Sequence, residues 1–318
     1  MPPTLFLQNV IAVVWDFDKT LIPGYMQEPL FRRYAADATE FWNEVRALPD
    51  FYRAQGLELV SPDSLYLNHI LTYVRHGRFT GLSNAVLRDL GQELSFYPGI
   101  PDIFQALRDR LARHPGATQH DIRLEHYIVS TGLRQIILGS AVAAHVEHVW
   151  ACEFVETEPP PGFLSGASPT TAGEICQVGY VLDNTTKTRA IFEINKGSNV
   201  FPAIDVNSFI APENRRVPFQ NIIYVADGPS DVPVFSVVKG QGGRTYAVYP
   251  PGAEAEFAQV NGLLRDGRVL AFGEANFQTG SPTAIWLGQA VDEIATRITA
   301  DRNSVLEATV GKPPRHIT

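Results

Sequence analysis

Short apolar runs alternate with helix-period segments along most of this chain, and that alternation constrains the fold more than any other feature. The runs are VIAVVW (10–15), HYIVS (126–130), VWACEFV (149–155), NIIYVA (221–226), RTYAVY (244–249) and RVLAF (268–272). Between several of them, apolar residues recur three or four apart: IPDIFQALRDRLARH before the second run, LRQIILGSAVAAHVEHV after it, and TKTRAIFEIN before the fourth. Continuous apolar strands separated by amphipathic helices fit an α/β fold, with a mostly parallel sheet covered on both faces. Ligands of such sheets bind beyond the carboxyl ends of the strands, where strand order reverses.

Residues 21–96 break the alternation. They hold no convincing strand and carry aromatics at helical spacing, so they predict a helical insertion after the first strand. Phe31, Tyr34, Phe41 and Trp42 read there as packing residues. The Pro-, Gly- and Ser-rich stretch 156–173 predicts a loop or flap, and 197–220 a second irregular segment. SPTAIWLGQAVDEIATRI predicts a helix capped by Ser281 with proline at its first position.

The polar residues that matter sit where the apolar runs stop. VVW leads directly into Asp16 and Asp18, two carboxylates that point the same way while the chain stays extended. Each raises the other's pKa unless a cation or donor compensates. YIVSTGLRQ carries Ser130, Thr131 and Gly132 into a predicted helix, where a small hydroxyl and free backbone N–H groups make either an anion site or an ordinary cap. IIYVADGPSD ends in Asp227 and places Asp231 four residues on. Lys187 opens the helix of TKTRAIFEIN, next to that helix's positive end, with Lys196 as a second lysine in the same segment.

Composition excludes several classes. A formal charge of −8 argues against nucleic acid as the main partner, and Cys152 and Cys176, the only cysteines, are too few for a disulfide framework or thiolate metal site. No run approaches the roughly 20 apolar residues that span a bilayer, and the first apolar run ends in Asp16 without a basic segment before it. No membrane association and a cytoplasmic location are the expectation.

DFDKT (16–20), VSTG (129–132), the helix-opening Lys187 and ADGPSD (226–231) resemble, in order, the four motifs of the haloacid dehalogenase superfamily. The helical insertion after the first motif is similar to the C1 cap of its phosphoserine phosphatase-like members. The resemblance implies a Rossmann-like sheet of order 3-2-1-4-5, a core of residues 1–20 and 97–318, and a cap over 21–96. It implies phosphomonoester hydrolysis, with Asp16 as nucleophile and Asp18 as general acid and base. Mg²⁺ would be held by Asp16, the Asp18 carbonyl and Asp227, with Asp231 orienting Lys187 or a bound water. Ser130, Thr131, Gly132 and Lys187 would hold the phosphoryl oxygens of a small phosphorylated substrate. Transfer of the phosphoryl group to another alcohol, or phosphate binding without turnover, are the alternatives. The match departs at Ala226, where glycine is common, and at Tyr25 and Glu28, near the place where phosphoserine-specific members carry glutamate. Arg75, His76 and Arg78 read as surface charge.

Overall fold

The computed structural model describes residues 6–165 and 173–309. Seven strands form one sheet: β1 (Val10–Trp15), β2 (Arg123–Leu133), β3 (His148–Val155), β4 (Gln177–Tyr180), β5 (Ile222–Ala226), β6 (Arg244–Tyr249) and β7 (Ala271–Glu274). Their order is β4-β3-β2-β1-β5-β6-β7, and every pairing is parallel except that of β3 with β4. Strand order reverses beside β1, with β2 on one side and β5 on the other. The expected 3-2-1-4-5 arrangement lies within this sheet. β7, which shares only Ala271 and Phe272 with the predicted sixth run, extends one edge, and the short antiparallel β4 adds another edge that its four residues do not announce.

All six residues of β1 are buried, as a strand covered on both faces requires. Two groups of helices do the covering. Asp102–Ala112 packs against β2 and against the long helix Pro282–Thr309, while Lys187–Lys196 packs against β2 and against Val232–Gly240. Ser281 Oγ accepts from Ala284 N at 3.1 Å, the cap expected from SPT.

Residues 28–91 form helices Glu28–Arg33, Ala38–Ala54, Pro62–Arg75 and Asn84–Gly91. Phe41 is buried against Phe31 and Tyr73, with ring centroids 5.0 and 5.2 Å away, and the apolar cluster runs without a break through Phe17, Leu21 and Met26 into the sheet. The four aromatics singled out in the sequence do pack. One sequence expectation fails here: the helix after β2 stops at Gly139 instead of continuing through the alanines. A side chain at Gly139 would clash with the Arg88 carbonyl of the crossing helix Asn84–Gly91, so the close crossing ends the element. The predicted flap at 156–173 lies partly outside the described residues. On its two described flanks, Glu156 Oε1 accepts from Asn84 N at 2.6 Å and Glu174 Oε1 accepts from Gly81 N.

Among the described residues no helix is long and apolar enough to cross a membrane.

Candidate active site

The ends of β1 and β5 bring the acids together. Asp16 follows β1 and its N–H donates to the Val225 carbonyl at 2.9 Å, which locks the two strand ends in register. Asp227 follows β5, and a tight turn with a short 3-10 segment at Pro229–Asp231 returns Asp231 to the same place. One carboxylate oxygen from each of Asp16, Asp227 and Asp231 lies within 4.8 Å of the others.

Lys187 enters from the first position of its helix and is only 1% exposed. Its Nζ donates to Asp16 Oδ1 and Asp231 Oδ1, both at 2.7 Å. The helix start is held by Asp183, whose Oδ1 accepts from the N–H groups of Thr185 (2.8 Å) and Thr186 (2.6 Å). Lys196 goes elsewhere. Its Nζ donates to the carbonyls of Val206 and Ser208, tying down the irregular 197–220 segment. Geometry therefore assigns the buried ammonium to Lys187.

The remaining oxygens are mostly engaged. Thr20 Oγ1 donates to Asp16 Oδ2 at 3.0 Å, Ser230 Oγ donates to Asp231 Oδ2 at 2.9 Å, and the Tyr224 hydroxyl donates to Asp231 Oδ1. Asp18 Oδ1 accepts from Met26 N at 2.9 Å, which folds the chain after β1 back over the site. Asp231 is thus the acid most fully occupied by donors, while Asp227 has no hydrogen-bond partner among the described residues.

Electrostatics follow from that crowding. Burial pushes Asp16 up to about 6, with Lys187 pulling it back and Asp231 adding to the rise. Burial, then the charges of Asp16 and Asp231, push Asp227 up to about 8. Asp18 is raised well above the usual carboxylate range by burial and by Asp16. For Lys187 burial works against the ammonium, but Asp16 and Asp231 outweigh it and its pKa rises. Among the described residues the carboxylates of Asp16, Asp227 and Asp231 converge on the buried Lys187 ammonium. An oxygen-only set with excess negative charge suits a hard divalent cation, so these residues fit one.

Ser130 is buried and its Oγ accepts from Gly132 N at 3.1 Å. Here the expectation needs correcting. Ser130, Thr131 and Gly132 do not sit at a helix N-terminus, because β2 runs on to Leu133 and the helix begins at Arg134. A bulge between Val129 and Leu133 in the pairing with β3 bends the strand there instead. The Thr131 carbonyl accepts from the Tyr66 hydroxyl at 2.6 Å and from Cys152 Sγ at 3.3 Å. Met26 packs so closely on Gly132 that any side chain there would collide with it. Arg75, His76 and Arg78 are exposed, and Glu28 is exposed beside Gly24.

Tyr224, Tyr66, Met26 and Asp183 escaped the sequence reading. Each looks like an ordinary core aromatic, a core thioether or a turn acid in the sequence, and only its partner gives it meaning.

A protein of Borreliella burgdorferi, described only as uncharacterized, is 37% identical over 288 residues, covering 89% of this chain and 97% of that protein. The chain belongs to that protein's family. No family model matches it. The sheet places the segments DFDKT, VSTG and ADGPSD at the carboxyl ends of β1, β2 and β5, while Lys187 opens a helix. Among solved structures the chain is similar to a HAD family hydrolase of Salmonella enterica serovar Typhi (TM-score 0.48, 13% identity, 85% of this chain and 68% of that one). It is also similar to a phosphoserine phosphatase captured as a phospho-aspartyl intermediate analogue (0.47, 10%, 83% and 93%). A third is a probable phosphoserine phosphatase of Vibrio cholerae (0.47, 13%, 92% and 68%).

Proposed function

We propose that this protein is a Mg²⁺-dependent phosphatase acting on a small phosphomonoester, with Asp16 as nucleophile. The observation that carries this reading is the meeting of Asp16, Asp227 and Asp231 around the buried Lys187 ammonium, with Asp18 alongside. Binding alone does not require the second acid after β1. Proton transfer to a leaving group does.

Asp16 and Asp227 would hold the cation with the Asp18 carbonyl, and Asp231, already filled by Lys187, Tyr224 and Ser230, keeps that lysine in place. The metal would supply charge neutralisation between carboxylate and phosphoryl oxygens. Lys187 has three donors and spends two on Asp16 and Asp231, leaving one for a phosphoryl oxygen. The Ser130 hydroxyl accepts from Gly132 N and keeps its own proton to donate to another.

A carboxylate oxygen of Asp16 then attacks phosphorus in line with the leaving oxygen, giving an aspartyl-phosphate. Asp18, whose carboxyl burial and the neighbouring Asp16 raise well above the usual carboxylate range, protonates the departing alkoxide. The resulting carboxylate accepts a proton from the water that hydrolyses the intermediate. Residues 21–96 act as a cap over a core of 1–20 and 97–318, and the Tyr66–Thr131 contact joins the two.

Hydrolysis of an aryl phosphate with and without Mg²⁺ tests this. Turnover should need the metal and should fall at least about 10³-fold, about 4 kcal/mol, in Asp16→Asn. Retained turnover in that variant, with deamidation excluded by mass, sinks the nucleophile assignment.

A further inference from the structure

Ser130, Thr131 and Gly132 have no register partner in β1 or β3 among the described residues. β1 pairs with β2 only as far as Ile128. Toward β3 the register passes from Val129–Trp150 to Leu133–Cys152, which sets these three residues of β2 against Ala151 alone. A strand released from its ladder needs other groups to fix its peptide planes. Those groups come from far along the chain. Leu133 N donates to Met26 Sδ at 3.0 Å, and the Thr131 carbonyl accepts from the Tyr66 hydroxyl at 2.6 Å and from Cys152 Sγ at 3.3 Å.

Tyr66 belongs to the helix Pro62–Arg75 of the helical insertion and is buried. Its ring lies 5.9 Å from that of Trp42, which in turn lies 5.3 Å from Phe41 and 6.3 Å from Phe31. The insertion therefore holds the ring, while the hydroxyl is given to the sheet. Tyr73 on the same helix does the opposite: its hydroxyl donates to Glu44 Oε2 at 2.6 Å, inside the insertion.

The Thr131 carbonyl and the Gly132 N–H are the two ends of one rigid peptide plane. Tyr66 holds the carbonyl end, and the N–H end donates to Ser130 Oγ at 3.1 Å. Rotation of that plane would take the N–H away from the serine and free its hydroxyl to turn. With the plane held, the Ser130 oxygen is already an acceptor, and its one proton is left to donate. We propose that Tyr66 is a positioning residue that couples the seat of the helical insertion to the peptide plane aiming the Ser130 hydroxyl. This rests on the phosphatase reading above, in which Ser130 meets a phosphoryl oxygen. Without the Tyr66 hydroxyl the Thr131 carbonyl keeps only the Cys152 thiol, a longer and weaker donor.

The experiment sets Tyr66→Phe against Tyr73→Phe, two losses of one buried hydroxyl from the same helix. Calorimetry measures the binding of inorganic phosphate in the presence of Mg²⁺, and aryl phosphate hydrolysis gives KM and kcat. Tyr66→Phe should weaken phosphate about fivefold and raise KM by a similar factor, whereas Tyr73→Phe should leave both near wild type. The two variants should melt at similar temperatures, because the Tyr66 ring stays packed. In a Ser130→Ala background, Tyr66→Phe should weaken phosphate no further, since its effect passes through that serine. Equal phosphate affinity in wild type and Tyr66→Phe overturns the proposal. So does a full fivefold loss that persists in the Ser130→Ala background. A Tyr66→Phe protein that unfolds, or melts far below Tyr73→Phe, overturns it too, because the contact would then be holding the insertion in place and not aiming the serine. Failure of the phosphatase reading is a separate result, seen as a wild type that hydrolyses no ester. Phosphate binding to that protein would still test Tyr66, and a wild type that neither hydrolyses nor binds would overturn both.

Discussion

The two ends of β2 treat buried polarity in opposite ways. At the amino end the charged side chains are matched in pairs, Arg123 with Asp121 and Glu125 with Arg216. Glu125 takes Arg216 through both guanidinium nitrogens, with side chains 15% and 12% exposed, and also accepts from the Tyr127 hydroxyl. His126 accepts from Trp15 Nε1 at its Nδ1 (3.2 Å) and so donates from Nε2 to the Phe104 carbonyl (3.0 Å). Toward the carboxyl ends of β2 and its neighbours β1 and β5, the Lys187 ammonium serves two acids, and among the described residues Asp227 has no hydrogen-bond partner and the Tyr97 hydroxyl is buried without one. A balanced cluster serves the fold. An unbalanced one is held in place by the fold and awaits something from outside, which is how buried charge separates a structural pair from a site.

The sharpest way to break this contrast is to remove the cation from each cluster. Lys187→Met leaves Asp16 and Asp231 buried and facing each other, and should cost about 3–5 kcal/mol in urea unfolding with chelator present. Arg216→Met leaves Glu125 with Tyr127 and with access to water, and should cost about 1–2 kcal/mol. Equal losses would mean that the two clusters are alike in kind.

A smaller effect per pH unit tests the balanced end. Burial holds His126 down to about 3, far below its unfolded value of 6.5. The unfolded chain therefore binds the extra proton first. This contribution to stability is fully present above about pH 6.5 and is lost as pH falls from there toward 3. The slope should reach about 1.4 kcal/mol per unit. His126→Phe should be less stable at pH 7.5, where the two hydrogen bonds are gone, yet lack this component of the slope between pH 6.5 and 5. An unchanged slope would show that His126 is not held neutral.

The smallest change sharpens the unbalanced end. Tyr224→Phe removes one of three donors from Asp231 and should cost about 1 kcal/mol, measured as a shift in urea midpoint. A loss exceeding that of Lys187→Met would show that Asp231 depends on the tyrosine more than on Lys187.

The strands were largely legible in the sequence. VIAVVW and RTYAVY match β1 and β6 residue for residue, because a continuous apolar run that starts and stops at polar residues leaves little choice of boundary. Asp16 was legible for the same reason, since it directly follows β1, whereas Asp18 lies in the turn beyond the strand's end. β4 was not, because QVGY has no alternation and gains its edge position only from β3. The stop at Gly139 was hidden as well, being imposed by a helix some fifty residues earlier in the chain.

What the sequence determined by itself is local: which segments are strands, which acids stand at their ends, and that one lysine opens a helix. These follow from periodicity and from backbone preferences that act over a few residues. Tertiary structure alone decided that Lys187 and not Lys196 meets the acids, that Tyr224 also holds Asp231, and that Ser130 sits where the pairing of β2 with β3 is irregular. The first is a distance between residues far apart in the chain, Lys187 to Asp16 and to Asp231. Such distances are set by how helices and strands pack, which no single segment encodes.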